Sequence, residues 1–338
     1  MRHVAANVIS LLALVALAVA TLATVAREDY VAPGPLVEPT IVEVPRGSSM
    51  TEAANRLAQA GALPQRVMWG LMDGATLLRI GARYTGRSTA LKAGEYRVPA
   101  GASVENVLAL ITSGRSIQYA VTVPEGLTSW EVVELLRADA TLTGEIEGLP
   151  AEGSLAPDTY FVDRGTERAE LIRRMQATQE QILTESWEAR AEGLPLASKA
   201  EALILASIVE KETGLDGERT KVASVFVNRL RRGMRLQTDP TVVYGAIEGK
   251  GALNRPPTGP ELRRQTPWNT YQIDGLPQTA IANPGRAAIQ ATLNPDDTPY
   301  IFFVADGTGG HAFAETLDEH NANVRVWRQI ERQRQNAQ

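Results

Sequence analysis

The sequence predicts an α+β protein that begins with a single apolar helix. Three observations lead to this prediction. The chain has 338 residues, 44% of them hydrophobic and 22% charged, which is enough for about two globular domains of about 150 residues each. Residues Val4–Ala26 contain no charged side chain. In the remainder, short runs of β-forming residues alternate with runs of helical periodicity.

The composition also argues against several classes of site. The chain has no Cys, which excludes disulfides, thiol nucleophiles and Cys-ligated metal centres. It has 34 basic and 39 acidic residues, for a formal charge of -5, so we expect no nucleic-acid partner. Only three histidines occur, and neither a nucleotide-binding loop nor a serine-hydrolase elbow is found. We therefore expect no metal and no cofactor.

The amino-terminal run Val4–Ala26 matches the roughly 20 apolar residues that cross a bilayer as a helix. A cleavable signal peptide is the alternative, since Ala18-Val19-Ala20 fits a cleavage site, but signal cores are about 7–15 residues long. Basic residues in the tail 1–3 precede the run and acidic residues follow it, which favours a cytoplasmic amino terminus. We expect a single-pass inner-membrane protein whose body lies in the periplasm.

Residues 27–39 contain three prolines and predict an extended linker between this anchor and the body. Residues 40–120 then follow the order strand, helix, helix, strand, with the two helices at Met50–Ala60 and Gln65–Leu78. This order, together with the turn Val98-Pro99-Ala100-Gly101, resembles a LysM-like glycan-binding module. A scaffold without glycan binding remains equally open, because a fold alone does not establish a function.

Residues 121–338 are expected to form the larger α+β domain. Long helical runs are predicted at Glu167–Ala191, Ser198–Thr213 and Arg219–Arg232. A strand at Pro299–Ala305 precedes a closing helix that begins at Leu317.

One titratable residue follows directly on an unusually apolar helical run. Residues 202–209 have almost no polar face, which is typical of a buried helix, and Glu210 comes next. Burial penalises the charged form of a carboxyl, so Glu210 is a candidate general acid that stays protonated near neutral pH. The alternative is a structural ion pair with Lys211 or a neighbouring Arg.

The run Leu-Ala-Ser-Ile-Val-Glu-Lys-Glu-Thr at 205–213 resembles the signature of the endolytic murein transglycosylases, the YceG-like (MltG) family. Further blocks of the family pattern occur in the same order, at residues 152–160, 227–230, 234–245, 269–271, 275–277, 281–285, 309–313 and 319–321. The resemblance extends from about residue 40 to the end and identifies 121–338 as a YceG-like catalytic domain.

The resemblance implies that Glu210 is catalytic and that the substrate is the β-1,4 bond between N-acetylmuramic acid and N-acetylglucosamine in peptidoglycan. The C6 hydroxyl of the muramoyl unit would attack its own C1 and leave a 1,6-anhydro end, so no second carboxylate is required. It also implies that the protein terminates nascent glycan strands beside membrane-bound peptidoglycan synthases. The alternative function is a membrane-tethered glycan-binding scaffold without catalysis.

The resemblance places five polar side chains at the glycan cleft: Gln237, Asp239, Tyr244, Asn269 and Tyr271. Their amide, carboxyl and phenol groups suit sugar hydroxyls, but turn formation explains Asp239-Pro240 and Asn269-Thr270 equally well. For His311 and His320 we expect a structural or hydrogen-bonding role, because two histidines make a weak metal site.

Overall fold

The computed structural model describes residues 2–251 and 255–336, with side chains at 7–251 and 255–334. The tail predicted at 1–3 falls outside the described side chains. Helices and short sheets are mixed throughout, which confirms the α+β class. The chain divides into two compact units, one of residues 1–119 and 161–164 and the other of residues 120–160 and 165–338.

The first unit starts with helix α1, Arg2–Val31. Its residues Asn7–Val31 are long and apolar enough to cross a membrane. The helix continues past the end of the apolar run, and Ala26 and Tyr30 pack against the core of the first unit. It stops just before Pro33, as expected because proline disfavours helical backbone in the residue before it.

The prediction of an extended linker at 27–39 is therefore wrong for residues 27–31, which continue α1. After α1, the Gly34 N–H donates to the Gly101 carbonyl (3.1 Å) and the Gly101 N–H donates to the Leu36 carbonyl (2.8 Å). Leu36 also packs on the same core. Proline content predicts an extended backbone. It does not indicate whether that backbone packs against the rest of the protein.

The elements of the first unit after α1 are β1 (Thr40–Val44), α2 (Met50–Gln59), a 3₁₀ turn (Met68–Gly70), α3 (Gly74–Tyr84), β2 (Gly94–Val98) and α4 (Val104–Ser113). The strands β1 and β2 are antiparallel, with Thr40 opposite Val98. The order strand, helix, helix, strand is thus present. The second helix begins later than predicted, because the Asp73 side chain accepts the Thr76 N–H (2.7 Å) and caps it at Gly74.

The second unit contains most of the helices. Strands β3 (Tyr119–Thr122) and β5 (Thr159–Val162) pair, and the boundary between the units falls within both. The remaining elements are α5 (Ser129–Ala138), β4 (Leu142–Thr143), β6 (Thr166–Glu167), α6 (Arg168–Glu188), α7 (Lys199–Glu212), α8 (Arg219–Arg231), α9 (Asp239–Ile247), α10 (Gly259–Arg263), α11 (Arg286–Leu293), β7 (Phe302–Ala305), β8 (His311–Ala314) and α12 (Leu317–Asn336).

Helix α7 lies in the centre of the second core. It packs against α6, α8, α9 and α11, and Ala202, Leu205, Ile208 and Val209 are completely buried. The helix begins at Ser198, whose hydroxyl accepts the Glu201 N–H (3.2 Å). The prediction of a buried helix that ends just after Glu210 is confirmed.

Candidate functional site

Glu210 lies in the last turn of α7, where the buried helix reaches the edge of the core. Its Oε2 accepts a hydrogen bond from the Gly285 N–H (2.9 Å). Gly285 is the residue from which α11 starts, so this N–H is one of the unpaired donors at a helix amino terminus. The side chain is half-buried and is held by a backbone group 75 residues away in the chain.

The environment raises the pKa of Glu210. Burial is the largest cause, and the negative charge of Glu125 acts in the same direction. The Gly285 hydrogen bond and the charges of Arg219 and Lys211 oppose the shift without cancelling it. This balance favours a carboxyl that can give up a proton and take it back, which acid–base catalysis requires.

Glu125 is a second carboxyl beside this position, and sequence reasoning did not select it. It is exposed in the turn after β3. A methyl group built on Gly285 would lie 1.8 Å from the Glu125 Oε1, so Glu125 and Glu210 contact the same glycine. Only Gly fits this position while Glu125 keeps its place. Both residues belong to recognisable sequence segments, Glu125 to Val123–Gly126 and Gly285 to Ile281–Gly285. No local pattern in the sequence indicates that these two segments meet.

Asn283 fixes the segment that carries Gly285. This buried residue donates through Nδ2 to the Leu127 carbonyl (3.0 Å) and accepts the Leu155 N–H through Oδ1 (2.9 Å). Its backbone pairs with the same turn, because the Gly126 N–H donates to the Asn283 carbonyl (3.0 Å). Both ends of the amide are satisfied, as a buried polar group requires. These hydrogen bonds of Asn283, which we call the Asn283 clamp, hold the segment that contains Gly285 and so set the position of the Gly285 N–H.

Lys211 holds the other side of the same turn. Its Nζ donates to the Gly126 carbonyl (3.1 Å), and a methyl group built on Gly126 would lie 3.7 Å from the Glu210 Cγ. Lys211 is therefore bound to a backbone carbonyl across 85 residues of the chain.

A half-buried carboxyl–phenol pair, Glu152 and Tyr244, lies near this turn. The Tyr244 hydroxyl donates to the Glu152 Oε2 (3.0 Å), and the Glu152 Oε1 accepts the Ser129 N–H (2.7 Å). Burial is the main cause that raises the pKa of Glu152, and it also raises the pKa of Tyr244, assisted by the Glu152 charge. The Tyr244 ring packs edge-on against Trp268, with 5.4 Å between centroids.

Two grooves border residues that adjoin Glu210. The first, about 450 Å³ in volume, is lined by residues that include Thr128, Lys211, Asp239, Tyr244, Arg255 and Ile281. The second, about 640 Å³, is lined by residues that include Glu185, Arg219, Arg286, Gln290 and Asn294. Arg286 directly follows Gly285, and the Arg219 charge acts on Glu210. Both grooves carry charged and polar side chains, and chain segments that contact Glu210 run into each.

The structure separates the five predicted binding residues. Asp239 and Tyr244 line the first groove. Tyr271 reaches Asp239, since its hydroxyl donates to the Asp239 Oδ1 (2.8 Å). Gln237 is exposed and has a φ of 49°, a left-handed conformation that costs free energy in a residue with a side chain.

Asn269 lies in the interior of the protein. It is 1% exposed, and its Nδ2 donates to the carbonyls of Glu261, Leu262 and Arg264 at 2.7–3.2 Å. Its Oδ1 accepts the Tyr271 N–H (3.0 Å). Of the two roles left open by the sequence, this geometry is that of turn formation. Asn269 is connected to the groove only indirectly, because it orients Tyr271.

Glu212 is a second titratable residue near the end of α7. Its Oε1 accepts a hydrogen bond from the Thr238 hydroxyl. Burial raises the pKa of Glu212, and the charge of Asp239 adds to the shift. Thr238 precedes Asp239 at the start of α9, so this bond joins the end of α7 to the groove wall.

His311 and His320 each contact a neighbouring side chain. The Glu218 carboxylate contacts both the His311 Nδ1 (2.8 Å) and the His311 N–H (3.0 Å). His320 stacks on Phe302, with centroids 5.0 Å apart, and burial lowers the pKa of His320. Among residues 2–251 and 255–336, no group of three potential metal ligands is found. Both side chains have structural contacts.

The residues that build this site lie within a region that is similar to known proteins. The chain matches the model of the YceG-like family over residues 42–326 and belongs to that family. A Bacillus subtilis relative named "Endolytic murein transglycosylase" is 28% identical over 313 residues, which cover 83% of this chain and 82% of the relative. The resemblance stated from the sequence motifs is confirmed.

Two further proteins support the same family. A Streptococcus pneumoniae relative with the same name is 27% identical over 330 residues, covering 84% of this chain and 57% of that longer protein. A crystal structure of a YceG-like protein from Listeria monocytogenes has a TM-score of 0.50 and 26% identity, and the match covers 84% of this chain and 98% of that one.

Proposed function

We propose that this chain is a membrane-anchored endolytic transglycosylase of peptidoglycan, a lyase in which Glu210 is both acid and base. The observation that carries the proposal is the position of Glu210. It lies half-buried at the end of a buried helix, with a raised pKa and one oxygen held by the Gly285 N–H. The names of the curated relatives support the substrate class.

In the proposed reaction the protonated Glu210 donates its proton to the glycosidic oxygen between N-acetylmuramic acid and N-acetylglucosamine. The bond from that oxygen to the muramoyl C1 breaks. The Glu210 carboxylate then takes the proton of the muramoyl C6 hydroxyl, and the freed oxygen forms a bond to C1. The products are a 1,6-anhydromuramoyl end and a new N-acetylglucosamine end, and Glu210 returns to its protonated state.

Internal cleavage requires that the glycan extend on both sides of the scissile bond. The two grooves of about 450 and 640 Å³ support this requirement, because residues adjoining Glu210 border both. In this proposal Asp239, Tyr244 and Gln237 contact the sugars, and Tyr271 positions Asp239. The left-handed Gln237 supports a binding role, since strained backbone concentrates at functional sites.

The cellular setting is also part of the proposal. Helix α1 crosses the inner membrane once, with its amino terminus in the cytoplasm and the body that follows α1 in the periplasm. Residues 40–120 form a LysM-like module in this proposal. Synthases that make nascent strands at the same membrane are the proposed partners, because the enzyme would meet its substrate there.

The test compares the wild type with Glu210→Gln on purified peptidoglycan, with mass spectrometry of the new chain ends. The full chain in detergent is used, because Ala26 and Tyr30 of α1 belong to the first core. Glutamine keeps an oxygen for the Gly285 N–H, so the variant should fold. Glu188→Gln, an exposed glutamate at the end of α6, is the matched control.

We expect anhydromuramoyl ends from the wild type and the control, and at least a hundredfold fewer from Glu210→Gln. Glycan binding without any new ends would support the scaffold alternative. Reducing ends would indicate a hydrolase, with Glu125 as the candidate second carboxylate.

A further inference from the structure

Two large apolar side chains in the first unit are left in solvent on a strained turn. Trp69 is 72% and Leu71 is 70% exposed. They belong to the 3₁₀ turn and its exit, where Met68 and Trp69 have φ values of 52° and 58°. Two successive left-handed residues with side chains are costly. Surrounding contacts must therefore hold the turn in a conformation that presents Trp69 outward.

The contact that holds this turn comes from the apolar amino-terminal helix. The Met68 N–H donates to the Asp29 Oδ2 at the end of α1 (2.5 Å). Val67 and Met72 close the turn, with the Val67 N–H donating to the Met72 carbonyl (2.9 Å). Tyr30 packs so closely on α3 that a methyl group at Gly81 would lie 2.5 Å from its ring. The turn and α1 are parts of one packed unit.

The geometry of α1 sets the depth of the turn. Asp29 lies three residues beyond Ala26, where the apolar run ends, which is about 4.5 Å along a helix. The headgroup region on each side of the hydrocarbon core is about 5–8 Å thick. A residue bonded to Asp29 therefore lies at headgroup depth when α1 crosses the bilayer.

The chemistry of the turn fits that depth. Tryptophan is enriched at membrane interfaces, because its ring is apolar and its N–H is polar. Arg66 is exposed beside the turn, with its Cδ 4.0 Å from a methyl group built on Gly70. Its charge would face anionic headgroups.

We infer that residues 66–72 form a second membrane contact, in which Trp69 and Leu71 enter the headgroup–acyl boundary of the bilayer that α1 crosses. The inference rests on the membrane anchoring proposed above. With two contacts, the first unit is held in one orientation on the membrane, and α1 acts as a rigid support rather than as a flexible tether.

The chain lacks cysteine, so single labels can be placed without background. Three variants of the full chain carry an environment-sensitive fluorophore: Leu71→Cys at the turn, Ala16→Cys inside α1, and Ser113→Cys as the matched control. Ser113 is exposed at the far end of α4, about 13 Å along that helix from Val104. Each is reconstituted into phosphatidylethanolamine–phosphatidylglycerol vesicles that contain lipids with a nitroxide at carbon 5 or carbon 12.

We expect the carbon-5 nitroxide to quench Leu71→Cys at least threefold more than Ser113→Cys, and the carbon-12 nitroxide to quench Ala16→Cys most. Equal quenching at residues 71 and 113, with Ala16→Cys quenched, would overturn the inference and leave the anchoring intact. An unquenched Ala16→Cys would overturn the anchoring itself, and this inference with it.

A second variant tests Trp69 directly. Trp69→Gly removes the indole, and glycine adopts a φ of 58° without strain, so the turn should keep its shape. In the Leu71→Cys background we expect carbon-5 quenching to fall about twofold. Unchanged quenching would show that Trp69 does not enter the boundary.

Discussion

The hydrogen bond from Gly285 to Glu210 makes a specific prediction about the pH dependence of the enzyme. Gly285→Pro removes the N–H that binds the Glu210 Oε2 and leaves the backbone acceptable, because the φ of Gly285 is −73° and proline prefers about −65°. Gly285→Ala is the matched control. It adds the same Cβ, which displaces Glu125 in both variants, but it keeps the N–H.

The size of the effect follows from the bond that is lost. A hydrogen bond to a charged group contributes about 1.5–3 kcal/mol, and each 1.36 kcal/mol corresponds to about one pKa unit. Water replaces part of the bond at this half-buried carboxylate, so we expect about one unit. The bond stabilises the carboxylate, and its loss raises the pKa of Glu210 further above its ordinary value.

The assay is the pH profile of kcat/KM for release of anhydromuramoyl ends. The free enzyme must hold Glu210 protonated, so the alkaline limb of the profile reports the pKa of Glu210. We expect that limb in Gly285→Pro to lie about one pH unit above the limb in Gly285→Ala. Coincident limbs in two folded, active variants would refute the reasoning that this bond tunes Glu210.

Three further predictions concern neighbouring residues. Glu125→Gln removes a like charge, so the alkaline limb should move down by a few tenths of a unit, more at low salt than at high salt in parallel profiles; an upward shift would contradict the assigned sign. Asn283→Ala leaves the buried Leu155 N–H without its acceptor, so the free energy of unfolding measured in urea should fall by about 1–3 kcal/mol; an unchanged value would show that Asn283 does not hold this segment. Burial raises the pKa of Glu212 above its unfolded value, so wild-type stability is lost as pH rises from about 4.5 through the folded pKa. Glu212→Gln should flatten that dependence in denaturation curves between pH 4 and 8, and an unaltered slope would show that another group causes it.

Local sequence patterns were sufficient for the elements that depend on local interactions. Helix α7 was predicted because its apolar residues leave no polar face, and the structure buries it in the second core. The apolar run at the amino terminus was recognised in the same way and forms α1. These features repeat over many residues, so periodicity and composition detect them.

Predictions failed where a single tertiary contact overrides local preference. An extended linker was predicted at 27–39, yet residues 27–31 continue α1, and Gly34 and Leu36 are bonded to Gly101. Helix α3 was expected from Gln65, but its cap at Asp73 and the turn bonded to Asp29 delay it. The sequence left both turn formation and sugar binding open for Asn269. Only the structure distinguishes them, because the side-chain amide donates to three backbone carbonyls.

The sequence by itself determined the family, the α+β class, the apolar amino-terminal helix and the carboxyl at the end of a buried helix. The tertiary structure alone decided what tunes that carboxyl. Glu210 meets Gly285 across 75 residues, and Glu125 reaches the same glycine from a separate turn. Such pairs leave no periodic trace, because the chain brings them together only after its helices have packed.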